Sequence, residues 1–185
     1  MPESDFLSLV GWAGNSFPLY REQVLAPIAQ GGTTLGLNIP RHVSSKVAQQ
    51  GPNSLTPAEK ALLPPIWELG SPTYFARFSE AMSGHVSEAQ ITRYFWAQSL
   101  WDDTMAWKGA SHLHAHPDQA LVILVGQFHA EFSDGLPARL LRHGATQVKV
   151  VIQHSVSAWD QTEIDKLVAP DPVYGQRADF IWIWK

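Results

Sequence analysis

One continuous apolar run, ALVILV at residues 120–125, constrains the fold more than any other segment of the chain. It is bounded by a turn on one side and by Gly126 on the other, and it is far shorter than the ~20 apolar residues of a membrane-spanning helix. Apolar runs of this length are typical of strands that are buried on both faces of a parallel sheet. We therefore expect residues 120–125 to form a buried strand.

The rest of the sequence alternates between helical and extended patterns. Helices are predicted over residues 23–29, 44–50, 54–63, 74–82, 87–114 and 136–143, and strands over 33–37, 120–125, 147–153 and 180–184. Such alternation is typical of α/β proteins, whose helical crossovers make the sheet parallel. The predicted fold class is α/β, a mostly parallel sheet with flanking helices. The length of 185 residues favours a single domain over residues 1–185.

Composition excludes several classes of function. The chain has no cysteine, which excludes thiolate nucleophiles, iron–sulfur clusters and zinc–thiolate sites. Its net charge of −4 gives no basic surface for nucleic acid, so we expect no nucleic-acid partner. The first residues are acidic and no long apolar run follows, so neither a signal peptide nor direct membrane insertion is expected. The sequence does not indicate the cellular compartment of the protein.

His129 is the first candidate for a functional residue. It follows the predicted strand at 120–125, and ligands of open α/β sheets bind at the carboxyl ends of strands. Gly126 permits a tight turn there. Gly135 and Pro137 begin the next helix, whose N-terminal N–H groups can bind a carboxylate or a phosphate. The alternative is that His129 only satisfies a backbone group of the loop.

The long helix predicted at 87–114 carries a polar face among many aromatic residues. Gln98, Asp102 and Met105 have the spacing i, i+4, i+7 and therefore lie on one side. If that side faces inward, the amide and the carboxylate need partners, because an unpaired buried polar group costs ~1–3 kcal/mol. A ligand or the ring of His129 would supply them. The spacing equally favours a solvent-facing side with the aromatic residues in the core.

The sequence His112-Leu113-His114-Ala115-His116 has the composition of a metal site but not its geometry. On a helix only His112 and His116 share a face. Both lie near the helix C-terminus, where imidazolium groups interact favourably with the helix dipole. We expect this tract to be structural.

Four segments carry short motifs in a fixed order. They are LGLNIPR at 35–41, AQSLWDDTMA at 97–106, LVGQFH at 124–129 followed by GLPARL at 135–140, and ADFIW at 178–182. Together they resemble motifs of the ChaN-like haem-binding uptake proteins of the Tiki superfamily, and they extend over nearly the whole chain. Members of that family begin with a strand that carries a G-E-x-H motif, which is absent here. The resemblance implies the C-terminal two thirds of the family domain, with a sheet that lacks its N-terminal strands.

The resemblance also implies a ligand. A ChaN-like chain would bind haem in connection with iron uptake or haem handling, without turnover, and as a homodimer. In such proteins a tyrosine can ligate the haem iron. Tyr74 is the first candidate for this ligand and Tyr94 the second, and core packing is the alternative for both. His129 would be a second ligand or a partner of a haem propionate. The implied cofactor site consists of Tyr74, Tyr94, Gln98, Asp102, His129 and Arg139, with Tyr74 and His129 as the candidates for iron.

Two other functions stay open. In a metal-dependent hydrolase of the wider superfamily, His129, Glu131 and Asp102 would surround an activated water. The missing G-E-x-H motif weighs against this alternative. The other alternative is an inactive fragment.

Overall fold

The computed structural model describes residues 2–12 and 16–185, in two compact units that divide between Gly36 and Leu37. Nine α-helices and two strands lie within these described ranges. The helices are α1 (Glu3–Leu9), α2 (Arg21–Ala29), α3 (Arg41–Gln50), α4 (Pro57–Lys60), α5 (Pro72–Met82), α6 (Glu88–Ala115), α7 (Gln127–Ala130), α8 (Leu136–Arg142) and α9 (Gln161–Val168). The strands are β1 (Val151–Ser155) and β2 (Phe180–Trp184).

The first unit contains α1 and α2, joined around an aromatic contact. The rings of Trp12 and Phe17 meet edge to face with centroids 5.0 Å apart, and Phe17 is buried. The helix predicted at 23–29 is confirmed and begins two residues earlier. The strand predicted at 33–37 is wrong, because no strand is formed there. Instead of bonding to a neighbouring strand, Thr34 donates its hydroxyl to the carbonyl of Val24 at 2.6 Å.

The second unit is organised around α6, which packs against α3, α5 and α8. Its 28 residues confirm the long helix predicted at 87–114. Ser87 begins the helix in a capping box with Gln90, whose side-chain oxygen accepts the backbone N–H of Ser87 at 3.0 Å. Leu100 and Ala106 on α6 are fully buried in two apolar clusters, with α3 and with α8 respectively.

The sheet is a parallel pair. Val151 of β1 lies opposite Phe180 of β2, and the pairing continues to Ser155 opposite Trp184. The carboxylate of Asp179 fixes the start of this register, since it accepts the backbone N–H of Val150 at 2.8 Å. Helices with a parallel sheet confirm the predicted α/β class. The strand predicted at 180–184 is confirmed, whereas the one predicted at 147–153 is shifted, because β1 begins at residue 151.

The strand predicted at 120–125 is also wrong. The segment forms neither a helix nor a strand, and none of its residues makes a backbone–backbone hydrogen bond within the described ranges. Ile123 and Val125 pack against the core formed by α6 and α8, whereas Val122 is 83% exposed and Leu124 63% exposed. The run therefore buries one face instead of two. Apolar composition favours an extended segment, but a strand also requires a neighbouring strand to bond with.

Two short helices differ from the prediction, although both begin with a capping box. The helix predicted at 54–63 is limited to α4, although Thr56 caps it in a box with Glu59. The helix α9 was not predicted, although Asp160 and Glu163 form the same kind of box at its start. No helix in the described ranges is long and apolar enough to cross a membrane.

Candidate functional site

The candidate site is built on a contact between α6 and α7. The Nδ1 of His129 lies 2.5 Å from the Oδ1 of Asp102. Asp102 is fully buried, and the side chain of His129 is 14% exposed. A carboxylate can only accept a hydrogen bond, so Nδ1 carries a proton and Nε2 is the ring nitrogen that remains for another partner. The polar face of α6 thus points inward, where Asp102 fixes the tautomer of His129.

Two further side chains complete a buried network. The hydroxyl of Tyr74, on α5, donates to the Oδ2 of Asp102 at 2.7 Å. Gln98, one turn before Asp102 on α6, donates its amide to the Tyr74 hydroxyl at 2.9 Å. The same amide nitrogen lies 2.9 Å from Nδ1 of His129. Because the proton on Nδ1 is given to Asp102, this last distance is a close contact between two donors.

Tyr74 is held in its neutral form. Its side chain is fully buried, and its ring stacks on Phe128 with centroids 5.5 Å apart. Burial, and after it the negative charge of Asp102, raises the pKa of the Tyr74 hydroxyl far above its ordinary range. The tyrosine is therefore a hydrogen-bond donor within the core at neutral pH.

A surface cavity of about 190 Å³ adjoins His129. Its other lining residues come from α5, α6 and α7: Phe78, Ala81, Met82, Gln98 and Phe128. The walls are therefore mainly apolar and aromatic. Within the described ranges no protein group is hydrogen-bonded to Nε2 of His129, so this nitrogen remains for a ligand.

Arg77, to which no sequence pattern pointed, holds the loop that follows His129. Its buried guanidinium donates to Asp134 at 2.6 Å, to the Glu131 side chain at 3.1 Å and to the Phe128 carbonyl at 3.1 Å. It also lies 4.1 Å from the centre of the Phe128 ring, a cation–π contact. The available signal was an arginine one turn after Tyr74 and an acidic pair, Glu131 and Asp134, after the histidine.

The same loop has an unusual backbone. Phe132 and Ser133 have φ values of 60° and 58°, in the left-handed region that residues other than glycine rarely adopt. The N–H of Phe132 donates to the carbonyl of Arg177 at 2.7 Å. At Gly135, an added Cβ would lie 2.5 Å from the carbonyl oxygen of His129, so only glycine fits. The loop is therefore closely fitted around the histidine.

Arg139 and Tyr94 lie in different positions relative to this network. Arg139, on α8, is buried, donates to the carbonyl of Gly135 at 3.0 Å and lies 3.9 Å from the Oδ2 of Asp102. The guanidinium therefore places a positive charge next to the carboxylate of Asp102. Tyr94 is partly buried against the apolar cluster that contains Tyr74. The structure thus brings together Tyr74, Gln98, Asp102, His129 and Arg139, but not Tyr94.

The residues proposed for a hydrolase are not all together. Glu131 forms ion pairs with Arg77 at 3.1 Å and with Arg177 at 3.0 Å, whereas Asp102 is bonded to His129. Within the described ranges no three His, Asp or Glu side chains converge as metal ligands. The rings of His112, in the last turn of α6, and of His116, the residue that follows α6, lie 4.5 Å apart.

A comparison with known protein families identifies the family of the chain. A family model with the description "Haem-binding uptake, Tiki superfamily, ChaN" matches residues 1–140. No curated protein and no solved structure matches the chain significantly. The matched residues include the whole of α6 and of α7, the helix that carries His129.

Proposed function

Because this chain belongs to the haem-binding uptake family of the Tiki superfamily that includes ChaN, we propose that it binds haem, with His129 as a ligand of the iron. The observation that carries the proposal is the contact between His129 and Asp102. It gives Nδ1 a fixed partner on a histidine that lines a cavity with mainly apolar walls, and no protein group within the described ranges is hydrogen-bonded to Nε2. A histidine whose other nitrogen binds a carboxylate is a common form of metal ligand.

The residues around the cavity fit this group. Histidine is one of the side chains that ligate haem iron in proteins. The flat face of a porphyrin packs well against aromatic and aliphatic side chains, and Phe78, Met82 and Phe128 provide such a wall. The family description refers to binding and uptake, which fits a protein without turnover.

The other residues of the implied site have supporting roles in this proposal. Tyr74 is fully buried with its hydroxyl engaged by Asp102 and Gln98, so we assign it to positioning and not to the iron. Arg139 is buried next to Asp102, so we assign it to balancing that charge and not to a propionate. We assign Tyr94 to packing.

We further propose that a second copy of the chain completes the site. The cavity volume of about 190 Å³ is below the ~300–1,000 Å³ of most small-molecule sites. A single chain therefore covers only part of a haem. A homodimer with the ligand between its subunits would supply the second wall, and the bound haem would serve iron uptake or haem handling.

Titration of the purified protein with hemin tests the proposal. We expect a saturable shift of the Soret band with the native protein. His129→Ala should abolish this shift or lower the affinity for hemin at least tenfold. His42→Ala, an exposed histidine on α3, is the matched control and should bind as the native protein does. Size-exclusion chromatography with and without hemin tests the dimer. The absence of a saturable shift, or equal binding by both variants, contradicts the assignment of His129.

A further inference from the structure

We propose that the C-terminal end of α6 binds a divalent transition-metal ion, Cu²⁺ most strongly, with His112, His116 and Gln119 as its protein ligands. His112 lies in the last turn of the helix, and the other two residues lie in the segment that follows it. Along α6, His112 comes ten residues after Asp102, which is ~15 Å of helix. The metal site is therefore distinct from the candidate haem cavity, and it does not rest on the proposed function.

Backbone hydrogen bonds fix the three residues relative to one another. The N–H of His116 donates to the carbonyl of His112 at 3.0 Å, which extends the helical spacing by one residue. The N–H of Gln119 donates to the carbonyl of His116, also at 3.0 Å, and closes a turn over residues 116–119. Because the backbone is already ordered, little of its conformational entropy is lost when an ion binds.

The side chains are spaced as ligands of one ion are. The rings of His112 and His116 have centroids 4.5 Å apart. A ring whose nitrogen binds a metal at ~2.0 Å has its centre about 3.2 Å from that metal, so two rings at a right angle lie ~4.5 Å apart. The Nε2 of His112 lies 2.9 Å from the Oε1 of Gln119, which is also the spacing of two atoms that bind one ion at adjacent positions at ~2.0–2.1 Å.

The ligand atoms are accessible to an ion. An amide oxygen only accepts, so the proton between His112 and Gln119 is on Nε2, and a cation can replace it. Both ring nitrogens of His116, an exposed residue, lack a hydrogen bond to any protein group in the part of the chain that the structure describes. The carbonyl groups at a helix C-terminus carry a partial negative charge, which favours a cation there. Water would occupy the other positions around the ion.

The donor set selects the class of ion. Two imidazoles and one amide oxygen suit the later divalent ions of the first transition row, whose affinity rises to Cu²⁺ and falls at Zn²⁺. Mg²⁺ and Ca²⁺ instead prefer sets of oxygen ligands. The third histidine of the tract, His114, is directed elsewhere: a Cβ added at Gly144 would lie 2.9 Å from its Nε2. His114 is therefore a matched control on the same helix.

Isothermal titration calorimetry of the protein without an affinity tag tests the site. We expect Cu²⁺ to bind at least tenfold more tightly than Zn²⁺, and Mg²⁺ not to bind at the same concentrations. His112→Ala and His116→Ala should each lower the Cu²⁺ affinity of this site at least tenfold, and Gln119→Ala about threefold. His114→Ala should bind Cu²⁺ as the native protein does. Electron paramagnetic resonance of the Cu²⁺-loaded native protein should show coupling to two imidazole nitrogens.

Every outcome decides the question. Loss of Cu²⁺ binding in His112→Ala and His116→Ala, with native binding in His114→Ala, supports the proposal. No saturable Cu²⁺ binding, equal affinity in all variants, an equal loss in His114→Ala, or tighter binding of Zn²⁺ overturns it. If circular dichroism shows that an alanine variant does not fold, the resonance spectrum of the native protein decides, and coupling to fewer than two imidazoles overturns the site. His129→Ala should keep the Cu²⁺ site, so a failure to bind hemin leaves this inference unaffected.

Discussion

Asp102 and Asp103 are consecutive residues of α6, and both are fully buried, yet they bind histidines from different parts of the chain. Asp102 contacts His129 of α7 at 2.5 Å, and Asp103 contacts His143, just after α8, at 2.7 Å. Successive residues of a helix point about 100° apart, so two neighbouring carboxylates can serve different networks. The first network adjoins the candidate haem cavity, and the second joins α6 to the end of α8.

Replacing Asp103 should destabilise the fold. In addition to His143, its carboxylate accepts the backbone N–H of Glu68 at 2.8 Å and the guanidinium of Arg142 at 2.5 Å. Breaking a buried ionic network by removing one partner leaves the remaining groups unpaired, so we expect Asp103→Asn to lower the free energy of unfolding by ~3 kcal/mol. Urea denaturation measures this change.

A matched control for Asp103 lies in the same network. Glu68 also pairs with Arg142, at 2.7 Å, but its side chain is 61% exposed. Glu68→Gln should therefore change the free energy of unfolding by less than ~1 kcal/mol. Equal losses in Asp103→Asn and Glu68→Gln would show that burial of the aspartate does not determine its contribution.

Gly135 should be essential for the position of His129. Because an added Cβ would lie 2.5 Å from the carbonyl oxygen of His129, Gly135→Ala must displace the loop. Overpacking of this kind costs ~1–3 kcal/mol, and we expect hemin affinity to fall as well. Gly36→Ala is the control, since a Cβ there meets no atom within 4 Å. Unchanged stability and hemin binding in Gly135→Ala would contradict the close fit of the loop.

The sequence predicted the helices better than the strands because helix signals are local. The helix predicted at 87–114 agrees with α6 to within one residue at each end, and the capping box at its start joins two residues only three apart in the chain. A strand depends on a partner that is distant in the chain. The segment 120–125 has the composition of a buried strand, but its backbone is not paired in the described ranges. Apolar composition alone did not specify the pairing.

The candidate site could be predicted only where periodicity or position within an element pointed to it. The spacing of Gln98 and Asp102 placed both on one helix face, and the position of His129 after an apolar run placed it at a loop beside that face. Arg77 and its acidic partners are 54 and 57 residues apart in the sequence, and no periodic pattern relates them. Such contacts arise from tertiary packing, so a sequence without a structure does not identify them.

Acid should weaken the start of the sheet through Asp179. Its carboxylate accepts Lys149 and the N–H of Val150, both at 2.8 Å, and the hydrogen bond from Lys149 is the main cause that lowers the pKa of Asp179. A lowered pKa in the folded state means that the stabilisation is present above the unfolded pKa of ~3.9 and is lost as the pH falls below it. The pair is partly exposed, so we expect a contribution below ~1 kcal/mol.

Urea midpoints at pH 6 and pH 3 measure the contribution of Asp179. The native protein should lose more stability between these pH values than Asp179→Asn does. Asp118→Asn, which changes an exposed aspartate elsewhere in the chain, should keep the native pH dependence. The same acid loss in Asp179→Asn as in the native protein would contradict the role of this carboxylate.

Alkali should reveal that Tyr74 is buried in its neutral form. Because the pKa of Tyr74 is raised in the folded state, its stabilising effect is complete below the unfolded pKa of ~10 and is lost as the pH rises toward the folded pKa. Of the four tyrosines, Tyr74 should not ionise near pH 10.5 while the protein is folded. The native protein and Tyr74→Phe should therefore give the same phenolate absorbance at that pH, and Tyr20→Phe, which removes an exposed tyrosine, should give less. A smaller absorbance in Tyr74→Phe would mean that the hydroxyl is accessible, and Tyr74 would again be a candidate ligand for the iron.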